Sequence, residues 1–74
     1  MESFIDTYST QDPMGRAING VIKVLINVDQ ISHIESVTNL GSIRSILHMQ
    51  NGEQIFSTET EIKIHQKIIR SYSL

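Results

Sequence analysis

Residues 31–69, ISHIESVTNLGSIRSILHMQNGEQIFSTETEIKIHQKII, decide the fold that this sequence predicts. The stretch divides into three strands, at 31–38, 43–50 and 53–57, followed by a helix. Asn51-Gly52 joins the second of these strands to the third, and Asn-Gly between apolar strands is a strong hairpin signal. Thr58 and Glu61 have the spacing of a capping box, which predicts that the helix begins at Thr58.

The residues before this stretch predict two more strands. Residues 3–10 alternate in polarity, and residues 21–26 are apolar at nearly every position. Pro13 and Gly15 mark a loop between them. Asn19-Gly20 leaves two alternatives open. Either residues 16–18 form a short strand that returns from a turn at Asn19-Gly20, or residues 14–19 form an irregular loop.

These elements predict a single small α+β domain over residues 1–74. Its sheet is an antiparallel β-meander of four to five strands, and one C-terminal helix packs on one face. The 13 isoleucines and the single alanine favour β structure over a helical bundle. Because a chain of 74 residues is close to the smallest size at which one core is sufficient, we expect self-association to add stability.

Composition and charge exclude several classes of function. The chain has no cysteine, which excludes disulfides and thiolate zinc sites. Six basic and eight acidic residues give a net charge of -2, and the basic residues are dispersed, so nucleic-acid binding is disfavoured. The N-terminus has no signal-peptide pattern and no apolar segment reaches membrane-spanning length, so we expect a cytoplasmic protein without a membrane partner, of bacterial or phage origin.

The sequence offers few residues for chemistry. His33 and His48 fall at similar heights on neighbouring predicted strands, but two imidazoles without a third ligand predict no metal site. Glu35 and Arg44 are predicted to face each other as a cross-strand ion pair. His65, on the apolar face of the helix, is predicted to be packed. No nucleophile motif and no pocket-forming stretch is visible, so we expect no catalytic residue, no cofactor and no enzymatic activity.

The apolar residues outnumber those that one helix can cover. Residues 21–26 and 43–50 carry apolar side chains on both faces of their strands. We therefore expect an uncovered face, with Ile46 and one side of residues 21–26, to bind a second copy of the chain or another protein. The alternative is that a β-bulge turns all of these residues into one core.

Two segments, LINVDQISHIES and SILHMQNGEQIFSTETEIKIHQKI, resemble small bacterial flagellar domains of the FlbD/SwrD-like type. The resemblance covers residues 21–69, and the loop at 11–20 is longer than in that family. It rests on turn and cap residues, namely Asn27, Asp29, Ile31, Ile34, Glu35, Asn51, Gly52 and Glu59. The resemblance implies a β-meander domain with a regulatory accessory role.

The sequence thus predicts a non-enzymatic interaction or regulatory module that forms a homo-oligomer or binds a cellular protein. One alternative is a phage-encoded inhibitor of a host protein. Another is an oligomer that sequesters a small anionic ligand such as a nucleotide, because arginine presents a fork suited to phosphate. The candidate contacts for a partner or ligand are Arg16, His33, Arg44, Ile46 and His48.

Overall fold

The structure, a computed structural model, describes residues 3–12 and 14–72. The elements in chain order are β1 (Phe4–Gln11), β2 (Ala17–Asn27), a 3-10 helix (Val28–Gln30), β3 (Ile31–Leu40), β4 (Ile43–Met49), β5 (Gln54–Ser57) and α1 (Glu61–Ser71). Strands that are neighbours within a sheet pair antiparallel, namely β1 with β2, β3 with β4, and β4 with β5. The predicted small α+β meander with a C-terminal helix is therefore confirmed.

The strands form two sheets, one of β1 and β2 and the other of β3, β4 and β5, with β4 in the centre. The 3-10 helix is bonded to both, since Val28 N donates to Ser3 O (2.8 Å) and Gln50 N donates to Gln30 O (2.8 Å). α1 lies against β1 and β3. Buried side chains from both sheets, the 3-10 helix and α1 meet in one core cluster of Ile5, Ile26, Val28, Leu47 and Ile64.

The β1–β2 hairpin turns at residues 12–16, and Asp12 holds the turn together. Its backbone amide donates to Arg16 O (2.8 Å), while its Oδ1 accepts from the amides of Met14 and Arg16, both at 2.9 Å. A short carboxylate that accepts nearby amides in this way is a typical stabiliser of turns. Pro13, which the sequence places in the loop, lies outside the described residues.

The predicted turn at Asn19-Gly20 is wrong, because both residues lie inside β2. Between the cross-strand pairs Ser9–Ile22 and Gln11–Ala17, β2 advances five residues while β1 advances two. β2 therefore bulges, and Gly20 has a φ of +114°, which residues with a side chain rarely adopt. A bulged, continuous strand replaces both the short strand at 16–18 and the irregular loop at 14–19.

The second Asn-Gly pair does close a hairpin, as predicted. Gly52 N donates to Met49 O (3.0 Å), and Gly52 has a φ of +90°. Asn51 Oδ1 accepts from Glu53 N (2.9 Å), which fixes the chain on its way into β5. The preceding turn comes slightly later than predicted, because β3 continues to Leu40 and the chain reverses at residues 41–42.

α1 begins after the predicted capping box. Thr60 is the N-cap, and its Oγ1 accepts from Lys63 N (3.2 Å). Thr58 donates instead to the carbonyl of Tyr8, from its amide (2.9 Å) and from its hydroxyl (3.3 Å). Because these bonds hold Thr58 beside β1, Thr60 caps the helix in place of Thr58.

The apolar side chains of α1 are buried only along a narrow stripe. Ile64 is fully buried, but Ile62 and Ile69 are exposed. The prediction of a packed His65 is wrong, because this side chain is exposed and its Nε2 lies 3.9 Å from Glu61 Oε1. The narrow stripe follows from the position of α1 beside β1 and β3 rather than over a broad sheet face. No helix within the described residues is long and apolar enough to cross a membrane.

Candidate functional site

The β1–β2 hairpin has an outer face, which points away from the core cluster. Successive strand residues point to opposite faces, and the register places Asp6 opposite Leu25 and Tyr8 opposite Lys23. We name this surface the ribbon face, and its members are Phe4, Asp6, Tyr8, Val21, Lys23 and Leu25. Its four large apolar side chains are all exposed, with Leu25 the most exposed at 71%. A group of exposed apolar side chains on one surface is typical of an interaction site.

The opposite face of β1 is partly polar, although it is the buried one. Thr7 and Ser9 are buried beside Ile5, while Phe4 and Tyr8 on the same strand are exposed. A strand with one buried face ordinarily turns its apolar residues inward and its polar residues outward. β1 departs from that rule at four positions, two on each face. The buried polar pair and the exposed apolar pair therefore need separate explanations.

A buried hydroxyl network explains the polar face. The Thr7 hydroxyl donates to Glu59 Oε1 (2.7 Å) and lies 2.6 Å from Ser57 Oγ. Ser57 Oγ accepts from Glu59 N (3.0 Å), and Ser45 Oγ donates to Glu59 O (2.7 Å). Because the Thr7 hydrogen points to Glu59, Ser57 donates to Thr7. The network therefore joins β1, β4 and β5 through the segment that leads into α1.

The three hydroxyl groups of the network are closed to solvent. Thr7, Ser45 and Ser57 have no exposed surface. No buried side-chain nitrogen or oxygen within the described residues lacks a hydrogen-bond partner. A hydroxyl that acts as a nucleophile must reach a substrate, and these hydroxyls reach only one another and Glu59. The network positions β1, and with it the ribbon face, rather than forming a reactive site.

Lys67 connects the network to the ribbon face. Its Nζ donates to Glu59 Oε1 and to Asp6 O, both at 2.7 Å, and lies 3.6 Å from Asp6 Oδ1. It also lies 5.7 Å from the centre of the Tyr8 ring, a cation–π distance. Asp6 Oδ2 is 3.2 Å from Lys23 Nζ. The side chains of Lys67 and Asp6 thus bridge α1 and β2 beside β1.

The charges of this bridge shift two pKa values. The hydrogen bond from Lys23 is the largest cause that lowers the pKa of Asp6, and the positive charge of Lys67 adds to it. The same hydrogen bond is the largest cause that raises the pKa of Lys23. Each shift favours the charged form of its group.

An open cleft of about 400 Å³ lies between the ribbon face and the C-terminal half of α1. Its walls combine apolar and charged side chains, namely Phe4, Ile5, Asp6, Lys23, Leu25, Lys67, Arg70 and Ser71. Three of the six basic residues of the chain line this cleft, against one of the eight acidic residues. The cleft is thus more basic than the chain as a whole.

The predicted approach of His33 and His48 is confirmed. The two residues are cross-strand partners on β3 and β4, and their rings stack with centres 4.2 Å apart and planes 9° from parallel. His48 Nε2 lies 2.9 Å from Glu35 Oε1. Within residues 3–12 and 14–72, no group of three histidine, cysteine, aspartate or glutamate residues could hold a metal ion.

The predicted ion pair between Glu35 and Arg44 is wrong. The register places Ile46 opposite Glu35, so the carboxylate reaches His48 instead. Arg44 Nη1 donates to Gly41 O (2.9 Å) in the turn before β4. Arg44 lies two residues along β4 from Ile46, the partner of Glu35, and the register slips between Ser36 and Leu40 of β3.

Ile46 shares the face of Glu35 and lies outside the core cluster, but the prediction that it is uncovered is wrong, because only 8% of this residue is exposed. Ile46 lies on the central strand, opposite Glu35 on one side and Phe56 on the other. Cross-strand neighbours are close enough for their side chains to shield one another. The expectation for one side of residues 21–26 is met, since Val21 and Leu25 are exposed.

The remaining candidate contacts do not form one site within the chain. Arg16 lies after the β1–β2 turn, where its Nε is 3.3 Å from Asp12 Oδ2. Arg44 lies on the other sheet, four residues before His48 on β4 and so about 13 Å from it along the strand. The structure joins His33 to His48 and leaves the two arginines apart from this pair.

Several members of the candidate site were not identified from the sequence. The alternation of residues 3–10 places Phe4, Asp6 and Tyr8 on one face, but it does not tell which face is buried. Lys67 and Arg70 read only as cations that complement the C-terminus of a helix dipole. Their position beside β1 depends on how α1 packs, which no local pattern encodes.

Comparisons with protein-family models, with curated proteins and with solved structures found no match. The resemblance to flagellar domains of the FlbD/SwrD-like type therefore stays a prediction. The candidate functional site is the ribbon face, with the cleft beside it and the network behind it.

Proposed function

We propose that this protein is a non-enzymatic interaction module that binds another polypeptide through the ribbon face. The observation that carries the proposal is the inverted pattern of β1, which buries Thr7 and Ser9 and exposes Phe4 and Tyr8. An exposed apolar side chain of this size forgoes about 1.5 to 3 kcal/mol that burial would contribute. A polypeptide that covers the ribbon face would recover part of that free energy.

A rigid support favours the same proposal. The hydroxyl network and Lys67 fix β1 from behind, so the ribbon face does not have to become ordered when a partner binds. A surface that is ordered before binding loses less conformational entropy in the complex. A regulatory accessory module and a phage-encoded inhibitor of a host protein both need a surface of this kind.

Two leucine-sized positions provide a matched test. Leu25 on the ribbon face is 71% exposed, and Ile62 on α1 is 70% exposed. Affinity-tagged wild-type protein, Leu25→Gln and Ile62→Gln are purified in parallel from the cells that produce the protein. Co-purifying polypeptides are identified and quantified by mass spectrometry, and an untagged second copy of this chain counts as a partner.

The proposal predicts that wild-type protein and Ile62→Gln retain the same polypeptide in similar ratio. Leu25→Gln is expected to lose most of it, because a central apolar contact typically contributes about 2 kcal/mol or more to binding. Circular dichroism of the purified variants checks that both are folded. Equal retention by Leu25→Gln and wild-type protein, or equal loss by both variants, would contradict a site on the ribbon face.

A further inference from the structure

We propose that the cleft between the ribbon face and α1 binds an acidic peptide segment that carries a large apolar side chain. The inference rests on the proposed function and names the chemistry of the partner. A carboxylate of the segment binds Arg70 and Lys23, while the apolar side chain lies against Phe4 and Leu25.

The cleft concentrates positive charge in a chain that is negative overall. Lys23, Lys67 and Arg70 line it, and Asp6 is the acidic residue in its wall. Glu59 lies behind Lys67 and offsets a second charge, which leaves one positive charge in excess. The net charge of the whole chain is -2. An acidic segment is therefore attracted to this cleft more than to the rest of the surface.

The three cations of the cleft differ in whether they form ion pairs within the chain. Lys67 contacts Glu59 and Asp6, and Lys23 contacts Asp6. The exposed Arg70 forms no ion pair within the described residues. Its guanidinium offers a planar fork of donors that matches a carboxylate. Arg70 is thus the cation best placed to receive a carboxylate from outside.

The apolar walls define the second part of the ligand. Phe4 and Leu25 flank the cations, and both are exposed to solvent. The cleft volume of about 400 Å³ lies within the range of about 300 to 1,000 Å³ in which proteins bind small ligands or single groups of a larger one. An apolar side chain beside a carboxylate fills such a cleft, whereas a bare anion leaves its walls in water.

The charges also argue against a second copy of this chain as the occupant. In a symmetric dimer the same surface of both copies meets at the interface. Contact between two such clefts would bring together two surfaces that each carry one positive charge in excess. Like charges at an interface oppose association, so a heterologous acidic segment fits better.

The test is a selection from a random seven-residue peptide display library on the full chain. The expected sequences combine one large apolar side chain with at least two flanking acidic residues. A labelled peptide of that consensus is then measured by fluorescence anisotropy against wild-type protein, Arg70→Gln and Arg44→Gln. Arg44→Gln removes the same charge from β4, away from the cleft. The probes include the same peptide with glutamine for glutamate, and vesicles of phosphatidylcholine with or without phosphatidylglycerol.

We expect Arg70→Gln to bind the acidic peptide about tenfold more weakly than wild-type protein, because a charge-assisted hydrogen bond is lost. Arg44→Gln should bind like wild-type protein, and the affinity should fall as salt is raised. The inference is overturned if no acidic consensus emerges, if the glutamine peptide binds equally well, or if both arginine variants lose affinity alike. Binding of phosphatidylglycerol vesicles without binding of the peptide also overturns it, in favour of an anionic membrane surface.

Failure of this inference can be told apart from failure of the proposed function. If the peptide selection gives no acidic consensus but Leu25→Gln still loses its co-purifying polypeptide, the ribbon face is a binding surface and only the chemistry assigned to the partner is wrong. If Leu25→Gln and Ile62→Gln behave alike, the proposed function itself is wrong.

Discussion

The two faces of β1 differ from the usual pattern in opposite ways, because polar residues are buried on one face and apolar residues are exposed on the other. The inner face contains Thr7 and Ser9, which are buried, and the outer face contains Phe4 and Tyr8, which are exposed. The inner polar residues are satisfied within the chain, since Thr7 is bonded to both Ser57 and Glu59. The outer apolar residues have no such cover. The inner face of β1 serves the fold, and we propose that the outer face binds a partner.

The largest effect on stability is expected from Thr7→Val, which keeps the shape of the side chain and removes its hydroxyl. Glu59 and Ser57 each lose a hydrogen-bond partner, and Ser57 is fully buried. The free energy of unfolding should fall by about 1 to 3 kcal/mol. Urea unfolding measures the change, and Thr38→Val at an exposed position of β3 is the control. Equal stability of the two variants would mean that the inner face is not held by this network.

A somewhat smaller loss is expected from Lys67→Met, which retains the apolar stem and removes the ammonium group. Glu59 Oε1 and Asp6 O then lose a donor at 2.7 Å. The free energy of unfolding should fall by about 1 to 2 kcal/mol, because hydrogen bonds to a charged group are stronger than neutral ones. Lys63→Met removes the same charge from an exposed position of α1. A loss of the same size in Lys63→Met would show that Lys67 acts only through the net charge.

Leu25→Gln should have little effect on stability, in contrast to both inner-face variants. The side chain is exposed on the ribbon face, so the free energy of unfolding should change by about 0.5 kcal/mol or less. The same urea titration measures it. A loss as large as that of Thr7→Val would show that the ribbon face stabilises the isolated chain, and the contrast between the two faces would disappear.

The smallest effect is a change in the titration of Asp6. Because the pKa of Asp6 is lowered in the folded protein, its contribution to stability is present above its ordinary value of 3.8 and is lost as the pH falls through the folded pKa. Lys23→Gln removes the largest cause, so the pKa should rise toward 3.8. Carboxyl NMR shifts recorded from about pH 2 to 6 follow this titration. An unchanged pKa in Lys23→Gln would assign the shift to Lys67 instead.

Local signals in the sequence predict the parts of this fold that form between neighbours in the chain. Asn51-Gly52 closes a hairpin because glycine accepts the positive φ that the turn requires. His33 and His48 are separated by similar numbers of residues from the turn between their strands, which predicts that they lie side by side. Their rings are stacked in the structure. Antiparallel pairing of two strands is fixed by the tight turn that joins them, so the hairpins of the β-meander follow from local patterns.

Contacts between distant segments decide the features that the sequence does not predict. Thr58 bonds to Tyr8, fifty residues away, and this contact moves the helix start to Thr60. Asn19-Gly20 becomes a bulge because Asp12 closes the hairpin earlier. Distant contacts also decide which face of β1 is buried, because Thr7 bonds to Ser57 and Glu59. The ribbon face could therefore not be told from the core face by alternation alone.

The most direct test of a binding site on the ribbon face is an NMR map of the complex. The isotope-labelled protein is mixed with the polypeptide that it retains from cells, and backbone amide shifts are compared with those of the unbound protein. The account predicts that the largest changes occur at Phe4, Tyr8 and Leu25. Changes centred on His33, Glu35 and His48 instead, with β1 and β2 unaffected, would contradict it and assign binding to the outer surface of the other sheet.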